Sequence, residues 1–220
     1  MENKKYEFTG ETITIDIPMP YECEYNNEDE WHYERKILHR IKAIRDFGEI
    51  HAGDLGGWIE KEENLSHDGD CWVAENASVY SNAKVHHDAQ VYGDAKVHCH
   101  ALIFNYAEIF GKAEVFDAAR VYGDAKASGD ALVCGNSQVF ENAKVFDNAK
   151  VFDNAEVSDN AWVCGNAQVF NNARVSGYAQ VYGDAAIFGE AKISGTADVF
   201  GNTEVSGDTK VFRSAPRKYL

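Results

Sequence analysis

The sequence lacks two features that would direct it to a membrane or a nucleic acid: a long hydrophobic run and an excess of basic residues. No stretch approaches the run of about 18 apolar residues that forms a membrane-spanning helix. The 21 lysines and arginines are outnumbered by 36 aspartates and glutamates, which gives a net charge of −15. Phosphate backbones and anionic lipids repel such a chain, so we expect neither direct nucleic-acid binding nor membrane binding.

Cysteine is sparse and unpatterned. The five cysteines are odd in number and irregularly spaced, which is not the pattern of a disulfide framework. The start of the chain, Met1 to Lys5, leads into no apolar segment of the kind that a signal peptide contains. We therefore expect a reduced, cytoplasmic protein.

Short catalytic and phosphate-binding motifs are absent as well. The turn-rich stretch Ala52 to Gly57 has neither the spacing nor the lysine of a phosphate-binding loop. No serine stands in a Gly-x-Ser-x-Gly turn, which would indicate a nucleophile. The sequence thus offers no nucleophile constellation.

What the chain does contain is an unbroken six-residue repeat from Cys71 to Ala215. Of the 24 positions 73, 79 and so on to 211, all are Val or Ile except Ala127. The 25 positions 71, 77 and so on to 215 are Ala, with the exceptions Cys71, Ser137, Thr203 and Thr209. A fixed short period without insertions is typical of a parallel β-helix.

Strand alternation explains each hexad. The small residue and the β-branched residue are two apart, so both face the interior, and the residue between them faces water. Gly, Asp or Asn follows at most repeats, as at Gly93 and Asp94, and these residues tolerate turn conformations. We predict that three hexads close one triangular coil, so that 24 hexads give about eight coils and a rod roughly 35–40 Å long.

The repeat divides the chain into three predicted units. Residues 1–70 form a β-rich capping unit with a net charge of −10, residues 71–212 form the β-helix, and residues 213–220 form a tail. Within the cap, Tyr6 to Ile17 alternates like a strand, and an acidic excursion follows at about 18–36. Glu28 to Ile41 is also compatible with a helix.

A β-helix exposes its apolar interior and unpaired strand edges at both ends, so terminal caps are expected. We expect Leu55, Trp58, Ile59 and Leu65, directly before the first regular hexad, to close the first end. The C-terminal end has no comparable cap in the sequence. We therefore also expect a homo-oligomer, a dimer or a trimer.

Two resemblances to known protein families add to the predicted fold and function. The hexads resemble those of left-handed β-helix proteins, best known as trimeric acyltransferases, which implies a left-handed coil. The lead-in, Leu38 to Phe47, then Ala52 to Ile59 and Leu65-Ser66, resembles that of the YdcK-like proteins of bacteria and prophages. That family is commonly labelled as acyltransferases, which implies acetyl-CoA as the cofactor if the label holds for this chain.

The histidines are the candidates for such catalysis. Hexapeptide-repeat acyltransferases use a histidine as a general base, and His86, His98 and His100 are the candidates here. The array, however, has no looped-out segment that would shape a substrate site. Residues converge in neighbouring coils when they are 18 apart, and His86 and His98 are 12 apart, so we expect no metal site.

Partner binding has two candidate regions. The residue after each inward Val or Ile is Phe or Tyr in 14 of 24 hexads, so these rings should stack into ladders such as Phe152, Phe170 and Phe188. The ladders either shield the sheets or form an interface. The second region is the acidic excursion, with candidate residues Glu22, Glu24, Glu28, Asp29, Glu30 and Trp31.

Three functions remain open on the sequence. The first is a non-enzymatic scaffold without a cofactor that binds a protein partner, possible forms being a phage-encoded inhibitor of a host protein or a nucleic-acid mimic. The second is a hexapeptide-repeat acyltransferase that uses acetyl-CoA. The third is a self-assembling structural protein.

Overall fold

The computed structural model describes residues 4–18 and 33–213, whose regular secondary structure is β-strand apart from one short 3-10 turn. Three strands come first: β1 (Tyr6–Pro18), β2 (Tyr33–Ala43) and β3 (Leu55–Ile59), followed by a short 3-10 turn, Glu62–Asn64. The acidic partner candidates lie outside the described residues, and these are Glu22, Glu24, Glu28, Asp29, Glu30 and Trp31.

The hexads supply one short strand each. In chain order they are β4 (Trp72–Val73), β5 (Ser78–Val79), β6 (Lys84–Val85), β7 (Gln90–Val91), β8 (Lys96–Val97), β9 (Leu102–Ile103), β10 (Glu108–Ile109), β11 (Glu114–Val115), β12 (Arg120–Val121), β13 (Lys126–Ala127), β14 (Leu132–Val133), β15 (Gln138–Val139), β16 (Lys144–Val145), β17 (Lys150–Val151), β18 (Glu156–Val157), β19 (Trp162–Val163), β20 (Gln168–Val169), β21 (Arg174–Val175), β22 (Gln180–Val181), β23 (Ala186–Ile187), β24 (Lys192–Thr196), β25 (Asp198–Val199), β26 (Glu204–Val205) and β27 (Lys210–Arg213).

Every third strand pairs in parallel, which builds three sheets along the solenoid. The first sheet runs from β3 through β5 and β8 to β26, the second from β4 to β25, and the third from β6 to β27. Partners are 18 residues apart, as for Lys96 and Glu114. The predicted parallel β-solenoid with 18-residue coils is confirmed, while its left-handed sense stays a prediction.

The interior matches the two-residue alternation of each hexad. The Ala and Val or Ile positions are buried along the array, and one continuous apolar core runs through the coils. Ser137 takes one of the small-residue positions, and its hydroxyl donates a hydrogen bond to the carbonyl of Val151 at 3.3 Å. The one polar interior position is therefore satisfied by backbone, as burial requires.

The corners depend on a left-handed backbone conformation. Every sixth residue from 75 to 207 has a positive φ, and eleven of these residues are not glycine. Several of the non-glycine side chains accept a hydrogen bond from the backbone of the next coil. Asp117 Oδ2, for example, accepts from the amide of Gly135 at 3.0 Å. Asp and Asn at these corners thus tolerate the conformation and bind the coils together.

The N-terminal strands continue the first sheet. Strand β1 pairs antiparallel with β2, β2 pairs antiparallel with β3, and β3 joins β5 in parallel. The rings of Tyr6 and Phe47 meet Trp72 edge-on at 6.3 and 5.4 Å. Gly56 is required beneath them, because a Cβ there would lie 2.6 Å from the indole of Trp72. These contacts agree with a cap, whose boundaries and role stay predictions.

Two expectations for this region were wrong. The helical alternative for Glu28 to Ile41 fails for Tyr33 to Ile41, because strand pairing with β1 places these residues in β2. Leu55 does not close the end of the core either, since its side chain is 53% exposed, whereas Ile59 and Leu65 are buried. Within the described residues, no helix is long and apolar enough to cross a bilayer.

Candidate functional site

The three candidate histidines do not form one site. His98 belongs to a ladder with Tyr80 and Phe116, whereas His86 stacks on Phe104 at 5.2 Å in a different ladder. The separation predicted from their spacing of 12 is confirmed. In the part of the chain that the structure describes, no three His, Cys, Asp or Glu side chains are grouped as metal ligands.

His98 is engaged on all sides. Its ring lies between those of Tyr80 and Phe116, at 4.8 and 5.1 Å. Its Nε2 is 2.9 Å from Glu114 Oε1, and its Nδ1 is 3.3 Å from the Cys99 sulfur. The hydrogen bond from His98 lowers the pKa of Glu114. This arrangement leaves neither a ring face nor a ring nitrogen of His98 for a substrate, so the side chain acts as a polar member of the ladder.

His86 and His100 have looser surroundings. His86 Nδ1 is 2.7 Å from Nδ1 of His87, and burial lowers the pKa of His86. The ring is therefore neutral at pH 7, as a general base must be. His100 is exposed, and its Nε2 is 3.2 Å from the amide nitrogen of Asn82 in the preceding coil. Among the three histidines, His86 alone has an Nε2 that makes no hydrogen bond to a described residue.

The phenylalanine ladder forms as predicted. Phe152 and Phe170 stack at 4.8 Å, and Phe170 and Phe188 stack at 5.0 Å. All three side chains are half-buried at a corner of the solenoid. Stacked rings at this spacing stabilise neighbouring coils. Whether the outer edges of the ladder also bind a partner stays a prediction.

Sequence reasoning missed a basic–aromatic patch on the second sheet, formed by Lys126, Lys144, Trp162 and Tyr178. The lysines and Trp162 are outward residues of adjacent strands in that sheet, β13, β16 and β19. Trp162 is 40% exposed and Tyr178 is 66% exposed. The Lys144 ammonium lies 5.1 Å from the indole centroid of Trp162. The signal was a tryptophan at the outward position of a hexad, where polar residues are usual.

Two open grooves flank the lysine column of this patch. One has a volume of about 390 Å³ and reaches from Phe110 to Phe146 past Ser128. The other has a volume of about 490 Å³ and lies between Trp162 and Tyr178, above Asn142 and Asn160. The second groove is lined by polar and apolar surface in about equal amounts, whereas the first has aromatic walls. Carboxylates line both grooves, Asp147 in the first and Asp124 in the second.

Comparison with known proteins identifies the type of repeat, but the matching segments cover little of the chain. The family model described as "YdcK Beta solenoid repeat" matches residues 167–183. A protein of Escherichia coli (strain K12) named "Uncharacterized acetyltransferase YdcK" is 40% identical over 43 residues, which are 20% of this chain and 13% of that protein. The predicted resemblance to YdcK-like proteins is confirmed for the solenoid repeat. The match spans about an eighth of the relative's length.

Proposed function

We propose that this protein is a non-enzymatic binding scaffold whose solenoid engages a protein partner. The observation that carries the proposal is the basic–aromatic patch, where Trp162 and Tyr178 stand exposed beside Lys126 and Lys144 on a regular sheet. Tryptophan and tyrosine supply much of the binding energy at the centres of protein interfaces. A flat parallel sheet holds such side chains in fixed positions, which lowers the entropic cost of binding.

The phenylalanine ladder and the acidic stretch around residues 22–34 extend this proposal. The carboxylates of this stretch would attract a basic region of a host protein, separate from the region that contacts Lys126 and Lys144. Most specifically, the protein would be a phage-encoded inhibitor that imitates a nucleic acid and so binds a host protein that normally binds nucleic acid. The acidic stretch is the better candidate for such imitation, because its carboxylates are concentrated in a short segment that would attract a basic groove.

The uninterrupted array also favours binding over catalysis. Each described hexad from Trp72 to Val205 keeps its strand and corner without an insertion, and β24 (Lys192–Thr196) is the one longer strand among them. An enzyme must hold its substrate in a defined position next to an acid or a base. His98, the histidine with the most defined surroundings, is fully engaged by its own ladder.

Two alternatives each have one supporting observation. The name of the Escherichia coli relative, an acetyltransferase, supports a hexapeptide-repeat acyltransferase that uses acetyl-CoA, with His86 as the base. The exposed rings of Phe200 and Phe212 near the C-terminal end support a self-assembling structural protein, because such surface favours contact with another copy.

A photo-crosslinking experiment tests the scaffold proposal. A photoreactive phenylalanine analogue at Tyr178 should capture a discrete protein in cells, and the same analogue at Tyr106 should not. Tyr106 is the matched control, since it is 62% exposed at the same corner four coils earlier. Trp162→Ala should reduce capture at least tenfold. Equal capture from both positions, or capture that is indifferent to Trp162→Ala, would contradict the proposal.

Native mass spectrometry with and without acetyl-CoA separates the alternatives. A trimer that holds acetyl-CoA stoichiometrically would favour the acyltransferase, and Tyr178 would then give no discrete crosslink to another protein. Long assemblies that grow with protein concentration would favour the structural protein. A monomer or dimer that does not bind acetyl-CoA would agree with the scaffold proposal.

A further inference from the structure

One aromatic ladder of the solenoid has a missing ring. At the corner that follows the second sheet, Tyr92 stacks on Phe110 at 5.0 Å, and the planes differ by 2°. The next coil places Ser128 at this position, and the coil after that places Phe146. Coils are about 4.8 Å apart, so Phe110 and Phe146 are separated by roughly 10 Å. That gap fits one planar ring at about 5 Å from each neighbour, which is a normal stacking distance.

This bracketing is particular to Ser128 among the serines at the equivalent position. Ser158 has Phe140 in the coil before it and Ser176 in the coil after it, so a ring there would have one aromatic neighbour. Ser194 lies between Ser176 and Phe212. Among these serines, only Ser128 has a ring in both neighbouring coils. Cys134 and Cys164 are bracketed by rings in the same way, but each places a larger, half-buried thiol between them.

Further side chains close the slot at Ser128. The open groove of about 390 Å³ is lined by the two phenylalanines, Trp162 and the two lysines of the patch. Trp162 meets Phe146 edge-on at 6.2 Å and so forms the outer wall. The slot is wide enough for a ring and one substituent.

Charge at the slot favours an anion. Lys126 is paired with Glu108 at 2.7 Å, but among the described side chains no carboxylate lies within 4.0 Å of the Lys144 ammonium. The carboxylate of Asp147, which also lines the groove, accepts a hydrogen bond from the amide of Gly165 at 3.2 Å. The cation of the groove that has no carboxylate partner is therefore Lys144, and an anionic substituent on the ring would supply one.

We propose that the slot between Phe110 and Phe146 binds a small planar aromatic anion. The ring takes the place of the missing ladder member over Ser128, and a carboxylate or phosphate substituent pairs with Lys144. The slot shares Lys144 and Trp162 with the patch proposed above, but Ser128, which lies outside the patch, allows the slot to be tested by itself.

Titration of the purified protein with phenyl phosphate, followed by amide chemical shifts in NMR, tests this directly. Inorganic phosphate and phenol serve as the two halves of the probe. We expect phenyl phosphate to bind at least tenfold more tightly than either half, with shifts centred on residues 126–129 and 144–147. Lys144→Gln should weaken binding of phenyl phosphate about fivefold and leave binding of phenol unchanged.

The decisive variant is Ser128→Phe, which fills the slot with the protein's own ring and should abolish binding of phenyl phosphate. Ser158→Phe adds the same ring to another ladder and should bind like the wild type. Should Ser128→Phe not fold, Phe110→Ala and Phe146→Ala each remove one wall and should weaken binding at least tenfold. Unchanged binding in these variants, or phosphate binding as tightly as phenyl phosphate, would overturn the proposal.

Discussion

Nε2 of His98 lies 2.9 Å from Oε1 of Glu114, a residue of the next coil that is 16 positions later in the chain. The same offset joins Tyr92 to Glu108 and Tyr122 to Gln138, each through the tyrosine hydroxyl at 3.2 Å. A corner side chain therefore contacts the outward residue of the following coil diagonally. This relation supplements the direct stacking of residues that are 18 apart.

The His98–Glu114 pair should make stability depend on pH in the acidic range. The hydrogen bond lowers the pKa of the folded Glu114 below its ordinary value of 4.5. A carboxyl whose pKa is depressed by folding stabilises the protein above its unfolded pKa, and this is lost as the pH falls through the folded pKa. At pH 7, Glu114→Gln should lower the free energy of unfolding by about 1 kcal/mol, because the side chain is partly exposed.

Urea unfolding from pH 3 to pH 8 measures this effect. The difference between wild type and Glu114→Gln should shrink below about pH 4.5. Glu204→Gln, an exposed position of the same sheet, is the matched control and should follow the wild type throughout. A difference in unfolding free energy that stays constant from pH 3 to pH 8 would contradict the role of Glu114 ionisation in stability.

The phenylalanine ladder should contribute to stability in proportion to its stacking. Phe170 has a ring on both sides, at 4.8 and 5.0 Å, so Phe170→Ala should lower the free energy of unfolding by about 2 kcal/mol. Phe200 is 48% exposed and stacks on Tyr182 at 5.4 Å, so Phe200→Ala should cost roughly 1 kcal/mol or less. Thermal and urea unfolding compare the two. Equal losses of unfolding free energy in the two variants would show that ring stacking contributes nothing beyond the burial of each side chain.

The architecture was predictable because the repeat is strictly periodic. A period of six with inward residues two apart allows one side-chain arrangement, and closure by three strands places Phe152 beneath Phe170 without further information. The pattern also predicted that His86 and His98 lie apart. Regular geometry thus determined every relation between residues that are 18 apart.

Contacts outside that spacing were not predictable in the same way. The diagonal offset of 16, which places Trp162 against Phe146, does not follow from the stacking of residues that are 18 apart. In the N-terminal unit no period exists at all. There the buried Lys5 ammonium donates to the carbonyl of Cys71 at 2.8 Å, a contact across 66 residues that no local pattern encodes.

The corners offer a test of how a hydrogen bond offsets backbone strain. Asp117 has φ 58°, and its carboxylate accepts from the Gly135 amide at 3.0 Å. Asp117→Ala keeps the strained conformation and loses the bond, so we expect a loss of about 1–2 kcal/mol. Asp117→Asn should stay within about 0.5 kcal/mol of the wild type, and Asp117→Gly should fall between them. Chemical denaturation ranks the three, and the reverse order for Ala and Gly would contradict this account.

The described cysteines should differ in reactivity according to their surroundings. Burial raises the pKa of the Cys134 thiol to about 11, and burial also raises the pKa of Cys164 and Cys71. Cys99 is half-buried, and its sulfur lies 3.3 Å from Nδ1 of His98, a possible proton acceptor. Because the thiolate is the reactive form, iodoacetamide at pH 7.5 should modify Cys99 at least tenfold faster than Cys134.

Peptide mass spectrometry after timed alkylation measures each rate, with Cys23→Ser introduced so that the four described thiols remain. His98→Phe is the informative second variant, because it keeps an aromatic ring between Tyr80 and Phe116 but removes the nitrogen beside the thiol. Alkylation of Cys99 should then slow several-fold, while the rate at Cys164 stays constant. If Cys99 reacts equally fast in both proteins, the His98 nitrogen has no influence on the reactivity of Cys99, and the contact between them contributes to packing alone.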